Sequence, residues 1–182
     1  MGCPHPTLLE EMMSLSRLLF LAIGGICAVL MSVALYMEHM MGLEPCPLCM
    51  LQRGAVTGTG VIALAAAAIG PRGWGIRLGG IGVALASVVG ATLAGRQLWL
   101  QSLPEDAVPP CGPGYDYLRE TFPLTEVIRM AFQGSGDCAE VQWTFLGLSI
   151  PGWTLVFFVA VGVTGLFLLY RGPGRADTGL LR

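Results

Sequence analysis

The chain is organised around four long apolar stretches that contain no charged side chain. They cover residues 18–37, 54–70, 78–95 and 152–170. Each approaches the roughly 20 apolar residues that a helix needs to cross the hydrocarbon layer of a bilayer. Glycine and alanine are frequent inside them, and small residues let membrane helices approach one another closely. The pattern therefore predicts an all-α membrane protein built as a bundle of four transmembrane helices.

The boundaries of these helices follow from the residues that flank the apolar stretches. The predicted helices cover about residues 18–37, 47–70, 76–97 and 151–170. The second is extended back to Pro47, because proline suits the first position of a helix. Segments 38–46 and 98–150 then lie together on one side of the membrane, and the chain forms a single membrane domain. A cleaved signal peptide is disfavoured for the first stretch, because it exceeds about 7–15 apolar residues and follows Glu10 and Glu11 instead of basic residues.

Composition supports the same class of protein. Only 12% of the residues are charged, whereas soluble domains carry about 25%. The formal net charge is −2 and all ten basic residues are arginine. No run of basic residues is present, so the chain offers no surface for nucleic acid.

The arginines indicate how the bundle is oriented. Six of them flank the apolar stretches on one side: Arg17, Arg72, Arg77, Arg171, Arg175 and Arg182. Most acidic residues fall in the two segments on the other side. Because cytoplasmic flanks of membrane helices are enriched in basic residues, both termini are predicted to be cytoplasmic. Segments 38–46 and 98–150 are then predicted to face outward.

Six cysteines are present, and four of them fall on the outward side. These four are Cys46, Cys49, Cys111 and Cys138, whereas Cys3 falls on the inner side and Cys27 within the first span. An oxidising outer compartment preserves disulfides. Four cysteines allow three pairings, and the local one, Cys46–Cys49 with Cys111–Cys138, is the simplest resting state. Cys27 is interpreted as a small apolar packing residue.

The spacing of Cys46 and Cys49 favours disulfide exchange. A bridge across two residues closes a very short loop, so it constrains the unfolded chain little. With Pro47 at the first helical position, Cys46 lies near the N-cap and Cys49 in the first turn, where the helix macrodipole favours a thiolate. Two alternatives stay open, namely a pair of structural disulfides and a Cys₄ zinc site. Zinc is disfavoured, because structural zinc sites draw on two close ligand pairs, whereas Cys111 and Cys138 are far apart in the chain.

Arg53 is a second candidate for the site. It lies four residues after Cys49, which places both on one face of a helix. One interpretation is a cationic anchor for a thiolate or for an electron acceptor that becomes anionic, since charges near a membrane are functional candidates. The other is an arginine that extends its charge to the interface from the helix end.

The long outer segment contains two features that bear on reactivity. Prolines and glycines on both sides of Cys111 predict an extended and mobile stretch, and "GSGDC" does the same before Cys138. Between them, apolar residues recur at helical spacing: Leu124, Val127, Ile128 and Ala131. Thr121 or Thr125 is the predicted cap. This indicates a short amphipathic helix, lying either at the membrane interface or in a small lid on the bundle.

Three motifs together resemble a known family. "PCPLCMLQR", "PPCGPG" and "GSGDCAEVQWTFLG", with four spans in this order, are similar to the disulfide bond formation protein B (DsbB) family over about residues 15–171. Vitamin K epoxide reductase also couples Cys-x-x-Cys to a quinone, but there the loop pair precedes that motif. The resemblance implies a quinone-dependent thiol oxidase of the bacterial inner membrane, with periplasmic redox loops, that reoxidises the thiol oxidant DsbA.

The resemblance also implies a role for each residue. Cys111 would form the mixed disulfide with DsbA, with Cys138 as its partner. Cys46 would exchange with Cys138, and Cys49 would lie nearest the quinone, which is ubiquinone or menaquinone. Arg53 would support the Cys49 thiolate and a quinone oxygen.

The outer end of the third helix carries polar residues in this family. Here it offers Arg96, Gln97 and Gln101, and Gln97 is the predicted cofactor contact. The chain between this helix and Cys111 is shorter than in some relatives and lacks their histidine. Two other functions remain: a structural four-helix protein with braced loops, and a thiol oxidase that serves a different partner. Quinone reduction separates the first from the enzymes, and a partner trapped through Cys111 identifies the second.

Overall fold

The computed structural model describes residues 6–69, 74–112 and 115–171. The helices are α1 (Pro6–Met41), α2 (Pro47–Ile69), α3 (Trp74–Gln101), α4 (Tyr115–Thr121), α5 (Leu124–Gln133), α6 (Gly136–Ala139) and α7 (Ile150–Arg171). A 3₁₀ turn spans Glu105–Ala107, and two short antiparallel strands are β1 (Thr144–Phe145) and β2 (Leu148–Ser149). Several residues used in the sequence predictions lie outside the described ranges: Cys3, Arg72, Pro113, Gly114, Arg175 and Arg182.

Within the described residues, four helices are long and apolar enough to cross a membrane, which confirms the predicted bundle. Their spans are Leu15–Met41, Pro47–Ile69, Trp74–Gln101 and Ile150–Tyr170. α2 packs between α1 and α3, and α3 packs closely against α7, whereas α1 and α7 barely touch. The bundle is therefore tight on one side, and a gap is left between its first and last helices.

Small residues explain the close contact of α3 with α7. A Cβ added to Gly80 would lie 2.8 Å from the carbonyl oxygen of Gly165, so the two backbones meet without side chains between them. Such contacts are typical of membrane helices. Apolar side chains gain nothing by moving from lipid tails to another helix, so close packing through small residues must hold the helices together. Larger residues such as Phe20 and Phe158 fill the rest of the buried core.

Helices α1, α3 and α7 run beyond the predicted spans. α1 continues to Met41, so Glu38 lies in a helix and not in the connecting segment predicted from residue 38. α3 begins at Trp74 and extends to Gln101. Hydropathy marks only the part of a helix that is apolar. A helix continues past that part when its polar side chains find partners, as Glu38 does with Arg53.

The predicted amphipathic helix is present as α5, but its apolar residues are not all buried. Val127 and Ala131 are buried, whereas Leu124 and Ile128 are exposed. The helix therefore presents apolar side chains both to the bundle and away from it.

The predicted threonine cap of α5 is wrong. The N-cap residue is Pro123, and no side chain caps the helix. Thr121 instead ends α4, a helix that the sequence pattern did not predict. Thr125 is the second residue of α5. Pro123 is extended, with φ −63° and ψ 149°, and its ring holds φ near this value. The chain therefore turns into the helix through its backbone alone.

A hairpin before α7 was also not predicted. Leu146 and Gly147 both have positive φ, 51° and 81°, as a two-residue type I′ turn requires. The indole Nε1 of Trp153 donates to the carbonyl oxygen of Phe145 at 3.0 Å. This bond ties the hairpin to α7 at the gap between α1 and α7.

Candidate active site

The site begins where α2 begins. The backbone N–H of Met50 donates to the carbonyl of Cys46 at 3.1 Å. This first helical hydrogen bond confirms that Cys46 caps α2 and that Pro47 is its first residue. The backbone N–H of Cys49 donates to the sulfur of Cys46 at 3.4 Å, as a capping side chain does. The two sulfurs lie 2.9 Å apart. Local helix geometry thus brings both thiols to the positive end of the macrodipole.

Cys138 packs against this pair from the outer segment. It lies in α6, is fully buried, and shares a cluster with Cys46, Leu48 and Leu100. A hydrogen bond from the Cys46 thiol lowers the pKa of Cys138 to about 6. The same bond raises the pKa of Cys46, because that thiol is the donor. Cys138 is therefore the thiolate of the two at neutral pH, and the thiolate is the nucleophile in exchange.

Cys111 occupies the opposite environment. It is exposed on an irregular stretch, and the nearby carboxylate of Asp137 raises the pKa of its thiol. The backbone N–H of Gly136 donates to the carbonyl of Pro110 at 3.2 Å, which holds the two cysteine-bearing stretches side by side. A Cβ on Gly136 would lie 2.8 Å from the carbonyl oxygen of Pro109, so this approach requires glycine.

The cysteines therefore form an ordered series. Cys111 is exposed, Cys138 is buried beside Cys46, and Cys49 lines a cavity inside the bundle. All four are free thiols in the structure. The predicted resting disulfides stay a prediction, and the contact between Cys138 and Cys46 shows that exchange across the two pairs needs little movement.

Two buried glutamines complete the surroundings of the sulfurs. The Gln97 amide nitrogen Nε2 donates to the sulfurs of Cys46 at 3.4 Å and of Cys49 at 3.3 Å. Its oxygen Oε1 accepts from Nε2 of Gln52 at 2.6 Å. Sequence reasoning missed Gln52, although an uncharged polar residue three positions after Cys49 on an apolar helix was an available signal.

The cavity has a volume of about 520 Å³. It fills the gap between α1 and α7, with α2 and the hairpin closing its sides, and most of its wall is apolar. Its polar groups gather at the end nearest the sulfurs and include Cys49, Gln52, Arg53 and Gln97. An apolar cleft with a few convergent polar groups is the usual form of a small-molecule site.

Arg53 lines this cavity, but its partners are on α1. Its guanidinium donates to the carboxylate of Glu38 and to the carbonyl oxygen of Ala34 at 3.1 Å. Among the described residues, the side-chain hydrogen bonds to Cys49 come from Cys46 and Gln97. In the structure, Arg53 therefore makes no direct hydrogen bond to Cys49 of the kind that the predicted support of a thiolate suggests. The position of Arg53 on the cavity wall suits contact with a bound ligand.

The remaining candidates have hydrogen-bond or packing partners other than the four sulfurs. Arg96 donates to the carbonyl of Gln133 at 2.9 Å and stacks on Trp99, so it ties α3 to the end of α5. Gln101 accepts from the hydroxyl of Ser149 at 2.8 Å. Cys27 is buried in the bundle core. Of the polar residues predicted at the end of α3, Gln97 is the one that contacts the sulfurs.

Known proteins similar to this chain share nearly its whole length. The family model for disulfide bond formation protein DsbB matches residues 16–168. The disulfide bond formation protein B of Marinobacter nauticus is 56% identical over 162 residues, which are 89% of this chain and 96% of the relative. Those of Nitrosococcus oceani and Hahella chejuensis are 48% and 51% identical, over 83% and 86% of this chain and 89% and 92% of their own.

Proposed function

The chain belongs to the disulfide bond formation protein B family, and from that premise we propose that it reoxidises a periplasmic DsbA-type thiol oxidant. The electrons pass through two cysteine pairs to a membrane quinone. The family and the four spans make the chain a bacterial membrane oxidoreductase of disulfide formation. Our proposal adds three points to this: the DsbA-type partner, the quinone acceptor and the orientation of the chain in the membrane.

The observation that carries this proposal is the order of the four sulfurs. They run from an exposed position at Cys111, through Cys138 and Cys46, to Cys49 on the wall of an apolar cavity. A structural pair of disulfides needs no such order. A path from water to an apolar cavity suits electron transfer from a soluble thiol to an acceptor dissolved in lipid.

The first exchange occurs at the exposed end. A thiolate of the reduced partner attacks the sulfur of Cys111 in the Cys111–Cys138 disulfide, and Cys138 leaves as a thiolate. The asymmetry of the two sulfurs favours this direction, because Cys111 is accessible and the pKa of its thiol is raised. The Cys46 thiol cannot donate to Cys138 while Cys46 is in the inner disulfide, but hydrogen bonds from Ser135 and from the backbone of Leu48 also lower the pKa of Cys138. A leaving thiol of lower pKa departs faster.

The second exchange transfers the electrons inward. The Cys138 thiolate attacks Cys46 in the Cys46–Cys49 disulfide, and Cys49 leaves toward the cavity. The second thiolate of the partner then attacks the partner sulfur that is bonded to Cys111. The partner leaves oxidised, and Cys111 is released as a thiolate. Cys111 attacks Cys138, which restores the outer disulfide and leaves Cys46 and Cys49 as a dithiol carrying two electrons.

The cavity fits the group that would accept these electrons. A quinone held there would supply an acceptor for two electrons and two protons, and the dithiol of Cys46 and Cys49 would return to its disulfide. The apolar walls suit the ring and its tail, and the guanidinium of Arg53 and the amide of Gln52 are donors suited to carbonyl oxygens. Glu38 holds Arg53 at this place.

The test is quinone reduction by the purified protein. We expect a short-chain ubiquinone to lose its quinone absorbance when a reduced DsbA-type protein is added, and Cys49→Ser to abolish this loss. Cys27→Ser is the matched control, because that cysteine is buried away from the site. Oxidation of the partner without quinone consumption would contradict the proposed acceptor, and quinone reduction driven only by another thiol protein would contradict the proposed partner.

The orientation is tested by reporter fusions. A reporter joined after residue 171 is expected to stay cytoplasmic, and one inserted near Asp106 to be exported, because arginines concentrate on the terminal side. An exported C-terminal reporter would place the cysteines in the reducing compartment and overturn the proposal.

A further inference from the structure

We propose that Gln52 is a positioning residue that fixes the side-chain amide of Gln97 with its N–H group toward the sulfurs of Cys46 and Cys49. The inference rests on the proposed function, since it assigns to Gln52 a part in making that cysteine pair a better electron acceptor. Neither the Cys-x-x-Cys motif nor the polar end of α3 points to Gln52.

The geometry is a chain of three groups. Gln52 on α2 donates through Nε2 to Oε1 of Gln97 on α3 at 2.6 Å. The other end of the Gln97 amide, Nε2, lies 3.4 Å from the Cys46 sulfur and 3.3 Å from the Cys49 sulfur. The Cys49 thiol also donates to the oxygen of Gln97, over a longer distance of 3.7 Å.

Burial makes this arrangement selective. Gln52 is 5% exposed and Gln97 is 3% exposed, so water does not replace a lost partner. If the Gln97 amide were reversed, its N–H group would face the N–H group of Gln52, and its oxygen would face the sulfurs. Buried donors without acceptors are costly. With its N–H group toward Gln97, Gln52 therefore favours the orientation in which Gln97 donates to the cysteines.

The end that meets the cysteines matters for redox chemistry. A thiolate is a strong hydrogen-bond acceptor, whereas the sulfur of a thiol or a disulfide is a weak one. An N–H donor therefore stabilises the reduced, anionic form more than the oxidised form. Stabilising the reduced form raises the reduction potential of a dithiol–disulfide couple. The Cys46–Cys49 disulfide would then accept electrons from Cys138 more readily.

A purely structural role makes a different prediction. The bond between Gln52 and Gln97 also joins α2 to α3, and removing it lowers stability whatever happens at the sulfurs. Loss of stability alone leaves the potential of the folded protein unchanged. The potential is therefore the readout that separates the two roles.

The experiment measures that potential in full-length protein without quinone or thiol partner. The protein is equilibrated in glutathione buffers, quenched with acid and alkylated, and the Cys46–Cys49 pair is quantified by mass spectrometry. Gln52→Met removes the donor at similar size, and Gln52→Asn keeps an amide on a shorter stem. We expect each to lower the potential by about 30 mV, the equivalent of a roughly tenfold change in the equilibrium constant.

The role through Gln97 is tested by a double-mutant cycle. Gln97→Met should lower the potential at least as much, and Gln52→Met should add little to it, because the group that Gln52 positions is gone. Gln101→Met is the matched control. It removes an amide one turn further along α3 that bonds to Ser149, and it should leave the potential unchanged.

Each outcome decides the inference. A wild-type potential in folded Gln52→Met and Gln52→Asn overturns it, and so does a full additional shift in the double variant. A shift in the potential of Gln101→Met equal to that of Gln52→Met also overturns it. The potential would then respond to the loss of any amide near this end of α3, and not to the positioning of Gln97. If the potentials shift as expected but the wild-type protein reduces no quinone, the proposed function fails and the positioning role stands.

Discussion

The two ends of the cysteine series are built in different ways. Cys46 and Cys49 are held by the first turn of a long helix, beside two buried glutamines and an apolar cavity. Cys111 lies on an exposed irregular stretch, where a carboxylate is its electrostatic neighbour. The inner pair is fixed by the bundle, whereas the outer cysteine is open to water. The contrast shows how one small protein can serve a soluble thiol and a lipid-phase acceptor at once.

Cys138 belongs to neither environment alone. It is carried by the outer segment, next to Asp137, yet its sulfur is buried against Cys46. In the reduced protein the Cys46 thiol lowers the pKa of Cys138 to about 6. Hydrogen bonds from Ser135 and from the backbone of Leu48 also lower this pKa, and they persist while Cys46 is in the inner disulfide, so they favour Cys138 as a leaving group and as a thiolate. The following predictions test this division between an inner and an outer site.

Serine substitutions should have the largest effect and should separate the two ends. Serine at any of the four positions Cys46, Cys49, Cys111 and Cys138 removes a sulfur that the relay needs, so steady oxidation of a DsbA-type protein should be lost. A small dithiol, dithiothreitol, can reach the inner pair directly. We therefore expect Cys111→Ser to keep dithiothreitol-driven quinone reduction and Cys49→Ser to lose it. If both variants lost it equally, the inner pair would not act independently of the outer cysteine.

The second largest difference between the two sites is expected in the pH dependence of thiol alkylation in the reduced protein. The pKa of Cys138 lies below that of an ordinary thiol, so its thiolate persists as the pH falls until about 6. The pKa of Cys111 is raised, so its thiolate is lost while the pH is still above the pKa of an ordinary thiol. Mass spectrometry after brief alkylation at a series of pH values measures both midpoints. Midpoints in the reverse order would contradict the assigned leaving group.

Arg53 should affect the inner site through the cavity. Arg53→Ala removes a charged donor at the cavity wall, and we expect the apparent KM for quinone to rise roughly tenfold, since a hydrogen bond to a charged group is worth about 1.5–3 kcal/mol. Arg53→Lys should be intermediate, because lysine keeps the charge without the planar fork of donors. A lysine variant with wild-type KM, and an alanine variant that loses only expression, would indicate an arginine that merely reaches the interface.

Asp137 should have the smallest effect, at the outer site alone. Asp137→Asn removes the charge beside Cys111, so the pKa of Cys111 should fall and its alkylation at pH 7 should accelerate. The apparent KM for quinone should not change. A change in quinone KM comparable with that of Arg53→Ala would show that the two ends are electrostatically coupled.

The local features of the site were predictable from the sequence. The four spans are visible as uncharged apolar stretches, because nothing else satisfies the backbone inside a bilayer as well as a helix. Pro47 and the two cysteines around it define a helix start, since capping depends on a few neighbouring residues. The helix α5 was visible from its spacing, but its cap was predicted wrongly, because Pro123 begins it without a side-chain bond.

The contacts between elements were decided only by the tertiary structure. Glu38 meets Arg53, and Gln52 meets Gln97, because α1 and α3 pack on either side of α2. No local spacing encodes which residues of two helices face each other. The position of Cys138 against Cys46 depends likewise on how α6 docks at the mouth of α2. The sequence by itself determined the helices and the reactive residues, and packing decided which of those residues meet, because hydrogen bonds and thiol pKa values depend on neighbours distant in the chain.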